Sequence, residues 1–169
     1  FEILVPNDKA VETWKALLEL GQPLEVEAAG LGARDTLRLE VAFSLYGHEI
    51  SDEILALEAG LGWVVKLKKG DFIGREALLE IKEKGLSRKI VGVELLESGV
   101  VRENYSVLND QEEVIGKVTS GTHSPSLKKS IALALIPSQY SNEGQNLFID
   151  VRGKLKKAHV VSKPFLKKN

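Results

Sequence analysis

Two hydrophobic rhythms divide the chain. In residues 9–20, Val11, Trp14, Leu17, Leu18 and Leu20 recur near helical spacing, and Gly21-Gln22-Pro23 supplies a stop. Ahead of them, residues 1–5 form an apolar run interrupted at Glu2, which predicts a short strand closed by Pro6-Asn7-Asp8, with Asp8 as helix N-cap. A strand or bridge is expected at 24–28. Gly30-Leu31-Gly32 then leads into a second helix over 33–43, with Leu37, Val41 and Leu45 on one face and Arg34 and Arg38 on another. Ser51-Asp52 caps a short turn, and residues 61–67 read as an apolar strand carrying Trp63. The pattern at 71–84 predicts a third helix, with Phe72, Leu78, Leu79 and Ile81 as core candidates and Gly85 as its end.

Beyond Arg88 the period shortens. Short β-rich runs appear at 90–95, 105–108, 114–118, 131–136, 147–151 and 158–161. Turn signals separate them at Asn109-Asp110, Ser120-Gly121, Asn142-Glu143-Gly144 and Gly153. Strands at near-regular spacing without intervening helices argue for a small antiparallel barrel or sandwich. The expected fold class is therefore α+β, with a helical and mixed part at 1–84, a boundary near 84–87, and a C-terminal antiparallel barrel or sandwich at 88–169. No low-complexity tract or solenoid repeat occurs.

Composition changes this picture mainly by exclusion. The 169 residues are 43% hydrophobic and 28% charged, an ordinary globular balance. Lys and Arg number 23 against 24 Asp and Glu, so no charge excess points to nucleic acid or an anionic membrane. With no cysteine, disulfides and thiolate metal sites are out. The apolar run at 131–137 is far short of the roughly 20 residues of a membrane span. The chain opens on Phe1 within an expected strand and contains no methionine, so it reads as a fragment.

Candidate chemistry is local. The two glycines ahead of Arg34 and Arg38 let a backbone or a flat ligand approach, and a guanidinium there pairs with a carboxylate or carbonyl. Equally, Arg34 and Asp35 decorate a helix start while Arg38 pairs with Glu40 or Asp35 in solvent. Glu2 lies in an apolar run, where a carboxylate is edge-exposed, paired, or placed for a ligand with adjacent N–H donors. Tyr46, His48, Trp63 and Tyr140 are able to stack on or hydrogen-bond a heterocycle, although such residues also serve as core. His48, His123 and His159 have no metal-like spacing, so no metal site is expected. Residues 119–129 are dense in hydroxyls and end in Lys128-Lys129, which suits either an anionic partner or a capped turn between strands. The P-loop pattern is absent, and so is a nucleophile elbow.

Several segments, in one order along essentially the whole chain, resemble the T-protein (aminomethyltransferase) family of the glycine cleavage system. They are Gly30-Leu31-Gly32-Ala33-Arg34-Asp35-Thr36-Leu37-Arg38-Leu39-Glu40, Leu45-Tyr46-Gly47-His48-Glu49-Ile50, Leu57-Glu58-Ala59-Gly60-Leu61-Gly62-Trp63 and Asp71-Phe72-Ile73-Gly74-Arg75. Val118-Thr119-Ser120-Gly121, Ser124-Pro125-Ser126-Leu127-Lys128-Lys129 and Pro164-Phe165 continue the series. The resemblance implies the C-terminal portion of such an enzyme: part of a folate-binding α+β core, then the family's C-terminal barrel. It implies transfer of a methylene carbon from the aminomethyl-lipoyl arm of H-protein to tetrahydrofolate, with release of ammonia and no metal. Glu2 matches the pterin-binding glutamate, Arg34 a folate-contacting arginine, and Tyr46 and Trp63 pocket residues. Lys167 stands where the family often has an arginine, which keeps the charge but loses the bidentate fork.

The family's catalytic aspartate lies in the N-terminal half and has no counterpart here, so no catalytic residue is assigned and the piece alone is expected to be inactive. The resemblance further implies a bacterial cytoplasmic or mitochondrial matrix setting. Related barrels in sarcosine and dimethylglycine dehydrogenases and in a folate-dependent iron-sulfur assembly factor are the first alternative. A non-enzymatic interaction barrel is the second.

Overall fold

The computed structural model describes residues 1–166, so Lys167 lies outside the described residues. By contacts the chain divides into two compact units, Phe1–Arg34 and Asp35–Asn169. Three α-helices, α1 (Ala10–Gly21), α2 (Leu31–Glu40) and α3 (Arg75–Lys84), precede six strands. These are β1 (Arg88–Leu95), β2 (Ser106–Leu108), β3 (Val114–Ser124), β4 (Lys129–Pro137), β5 (Asn146–Val151) and β6 (Lys154–Val161). The fold is α+β.

In the first unit the helix forms as its period predicts, but Val11, Trp14, Leu17 and Leu20 all remain exposed. A 3-10 turn at Asn7–Lys9 precedes α1, and the N-cap is Lys9 with no side-chain cap bond, not Asp8. Residues 1–5 are not a strand, and neither are 24–28. A lone apolar run needs a neighbouring strand to take its N–H and C=O groups. The described residues of this unit offer none.

In the second unit the strands close into a barrel in the order β1-β4-β3-β2-β5-β6, every neighbour antiparallel. Closure leaves no sheet edge open to another chain. Val93, Val107, Val118, Ala134, Ile136 and Ile149 point into one buried cluster, the barrel interior. A second cluster gathers Ile131, Leu133 and Leu135 from the other face of β4 with Ile90, Leu39, Ile54 and Ala59. This explains why β4 reads as an unbroken apolar run: one face fills the barrel, and the other is covered by the segment that follows α2.

Three sequence expectations fail in this unit. Residues 61–67 form turns, and Trp63 is 73% exposed, because nothing pairs with that run. The buried residues of α2 are Leu39 and Glu40, whereas Leu37 is 63% exposed. Ser120-Gly121 is no turn but the middle of β3, and the chain reverses at 125–128 instead. An α-helical α3 is present but begins at Arg75 and buries none of its residues fully.

Candidate functional site

β3 carries an irregularity that organises the second unit. Val118 pairs with Ala134 and Ser120 with Leu133, so Thr119 is the extra residue of a bulge. The bulge turns two consecutive hydroxyls toward one carboxylate: Thr119 Oγ1 donates to Glu49 Oε1 at 2.5 Å and Ser120 Oγ at 2.7 Å. Glu49 is fully buried. Its Oε2 accepts from Arg38 Nη1 at 3.1 Å and from the Leu45 N–H at 3.0 Å. Arg38 also donates to Asp35 Oδ1 from Nε and Nη2, and to Ser120 Oγ at 2.9 Å.

Two further buried carboxylates repeat the device. Glu40 Oε1 accepts from Ser124 Oγ at 2.5 Å, and its Oε2 from Ser126 Oγ at 3.0 Å. Glu58 accepts from Arg88 Nε at 2.7 Å and from the Leu55 N–H at 2.9 Å. That hydrogen bond, opposed by burial, raises the Arg88 pKa above its ordinary value. The hydroxyls at 119–126 therefore do serve anions, but the anions are the chain's own glutamates. Periodicity could not have found them, since a buried Glu at the end of an amphipathic helix breaks the apolar rule; the serine and threonine density of β3 was the available signal.

Against this satisfied interior stand the residues singled out from the sequence. Glu2 and Arg34 lie in the first unit, both exposed, and their side chains have no hydrogen bond or ion pair among the described residues. Asp35 is held by Arg38 rather than by Arg34. Tyr46 and Trp63 lie in the second unit, each 73% exposed. Tyr46 lines a concavity of about 410 Å³ together with His48, Arg88 and Lys117. Trp63 stands between two others, of about 640 and 650 Å³.

The 650 Å³ concavity includes Phe43 and Lys163 in its wall. Lys163 donates to the Ile90 carbonyl at 2.8 Å, and burial holds its pKa below the ordinary 10.5 while Glu49 pulls the other way. Tyr140 packs its ring on the barrel interior, and its hydroxyl accepts from Asn109 Nδ2 at 3.3 Å. His48 Nδ1 meets the Thr119 carbonyl at 2.9 Å. Among the described residues no group of His, Asp or Glu is placed to hold a metal ion. Nor is any helix there long and apolar enough to cross a membrane.

Two family models match the chain. Residues 88–167 match the glycine cleavage T-protein C-terminal barrel domain, and residues 1–69 match the GCVT N-terminal domain. An aminomethyltransferase of Thermoanaerobacter pseudethanolicus is 52% identical over 169 residues, covering 100% of this chain and 46% of its own length. One from Symbiobacterium thermophilum is 52% identical over 166 residues, covering 98% and 44%. The crystal structure of glycine cleavage system aminomethyltransferase T from Bartonella henselae superposes with a TM-score of 0.85 at 34% identity, covering 96% of this chain and 45% of that one. The chain thus spans about half the length of the relatives it matches.

Proposed function

The chain belongs to the glycine cleavage T-protein family, and from that premise we propose that it is the C-terminal part of an enzyme moving a one-carbon unit onto tetrahydrofolate. In this reading the methylene carbon of an aminomethyl group on the lipoyl arm of H-protein passes to the folate. Ammonia leaves, and the carrier keeps its dihydrolipoyl arm. The observation that carries the reading is the identity of about half the residues to aminomethyltransferases across the full chain.

Residues 1–84 are proposed as the C-terminal part of the folate-binding core, with 88–169 as the barrel. The match of residues 1–69 to the GCVT N-terminal domain and of residues 88–167 to the T-protein C-terminal barrel domain supports this.

Residue by residue, the resemblance supports contacts to a folate. A flat pterin presents two adjacent N–H groups on one edge, and the Glu2 carboxylate, without a partner among the described residues, has two oxygens to accept them. Arg34 supplies a cation without a competing partner among the described residues, and Trp63 an open aromatic face. Tyr46 adds a second ring, and Lys167, where the family often has arginine, a charge for the folate tail. These groups bind and orient; none of them performs the transfer.

Asp35 is no substitute for a catalytic aspartate, since Arg38 holds it at 2.5 Å and 2.8 Å. Positioning and electrostatic stabilisation each carry several kcal/mol of a barrier, so losing the aspartate removes both together. The isolated 169 residues are therefore expected to release no ammonia from aminomethyl-lipoyl H-protein in the presence of tetrahydrofolate. Sustained ammonia release by the purified chain would overturn the assignment of catalysis to residues outside it.

A further inference from the structure

The turn that carries Tyr46 is seated on the bulge residue of β3. Within residues 45–50 the Leu45 carbonyl accepts from the N–H groups of His48 and Glu49, both at 3.1 Å, and the Gly47 N–H donates to the Ile50 carbonyl at 2.8 Å. Gly47 takes φ +90°, which lets the chain reverse this tightly. These bonds fix the shape of the turn but not its place on the barrel. Two side chains do that, and both reach Thr119. Glu49 accepts from the Thr119 hydroxyl, and His48 Nδ1 donates to the Thr119 carbonyl at 2.9 Å. Thr119 stands outside the β3–β4 ladder, which leaves its carbonyl open to a side chain. The same His48 nitrogen lies 3.5 Å from Glu103 Oε1, a more distant second acceptor. Tyr46 has no such anchor: its ring is open to solvent, and its hydroxyl has no hydrogen bond among the described residues. The direction of that ring is inherited from the backbone of the turn.

We propose that His48 is a positioning residue for Tyr46, its bond to the Thr119 carbonyl holding the turn where the Tyr46 ring meets a flat ligand. The proposal rests on the folate reading, in which Tyr46 is a pocket residue. The two anchors bracket the ring along the chain. Ahead of Tyr46, the Leu45 N–H is held by the buried Glu49 carboxylate at 3.0 Å; behind it, beyond Gly47, the imidazole of His48 is the tie. Without His48 the apex of the turn is free to swing about the Glu49 anchor, while the buried network beneath it stays whole. A ring that is already aimed loses little freedom when a ligand stacks on it, whereas a swinging one must be ordered at the moment of binding. His48 thus contributes to affinity without touching the ligand, and its effect runs through Tyr46 alone.

The test is calorimetric titration of the 169-residue chain with tetrahydrofolate, comparing the unaltered protein with His48→Ala, His48→Asn, Tyr46→Ala and the Tyr46→Ala/His48→Ala double variant. The expected loss is about three- to fivefold in His48→Ala and about tenfold in Tyr46→Ala, since a residue that acts through a ring costs no more than the ring itself. Asparagine supplies an N–H to the same carbonyl but has no second ring nitrogen, so His48→Asn should stay within about twofold of the unaltered chain. In the Tyr46→Ala background the His48 change should have no further effect. A purely structural role would weaken binding by the same factor with or without Tyr46, and that result overturns the proposal. Failure of asparagine to restore binding also overturns it, by assigning the imidazole to the ligand directly. If Tyr46→Ala weakens binding while His48→Ala leaves it unchanged, the positioning role falls and the folate reading stands. If Tyr46→Ala leaves binding unchanged, Tyr46 drops out of the folate site and the proposal falls with it. Absence of binding by the unaltered chain brings down the folate reading and the proposal together.

Discussion

Replacing Glu49 with leucine is expected to lower the unfolding free energy by about 3–5 kcal/mol, the range found when one partner of a buried charge network is removed. Glu49 is fully buried and takes four donors: Thr119, Ser120, Arg38 and the Leu45 N–H. Leucine satisfies none of them. Arg38, only 10% exposed in its side chain, keeps Asp35 but loses its buried counter-charge. The added apolar surface offsets little, because desolvated donors left without acceptors each cost about 1–3 kcal/mol. Gln in the same place retains one acceptor oxygen and is expected to cost less than leucine. Adding Arg38→Met to Glu49→Leu should recover part of the loss, since the second change removes the stranded cation. Urea unfolding of the four proteins measures this; a Glu49→Leu shift below about 1 kcal/mol would mean the network does not hold the outer segment to the barrel.

The second large effect is expected at a glycine. A Cβ built on Gly116 would stand 2.2 Å from the Leu135 carbonyl oxygen and 2.9 Å from Ile136 Cγ2. The first of these is backbone, so no rotamer change relieves it. β3 and β4 must separate there to admit the methyl group. Gly116→Ala is therefore expected to destabilise by about 3 kcal/mol, at the upper end of overpacking costs. Gly32, with nothing within 4 Å of its would-be Cβ and a helical position in α2, is the matched control. Gly32→Ala should change stability by no more than about 1 kcal/mol, and toward greater stability. Thermal melts of the pair decide: equal behaviour would remove close strand approach as the reason for glycine at 116.

The strands were legible in the sequence because their signal is local, whereas their closure into a barrel rather than a sandwich came from the resemblance. Short β-rich runs recur at near-regular spacing, and those at 90–95, 131–136 and 147–151 all sit inside observed strands. Where reading failed, a long-range partner decided. Residues 61–67 carry strand-like residues, but a strand exists only if another backbone pairs with it. Leu37 and Leu39 are equally apolar, and which one is buried depends on how α2 meets β3 and β4, a tertiary fact. The hydroxyl-dense run at 119–129 left an anionic partner and a capped turn both open, and did not point to the chain's own glutamates. Glu40, Glu49 and Glu58 look like surface residues until the β3 bulge and Arg88 claim them. For the candidate ligand residues, composition offered several open readings of Glu2 and Arg34, and only the resemblance across many segments separated them.

The most direct test of the account is a calorimetric titration of the 169-residue chain with tetrahydrofolate, run beside Glu2→Ala and Arg34→Ala in the same buffer. The account predicts measurable binding by the unaltered chain and at least a tenfold loss in each variant, while the barrel melts unchanged. No binding by the unaltered chain, or equal binding in all three, would contradict a folate half-site built from these residues.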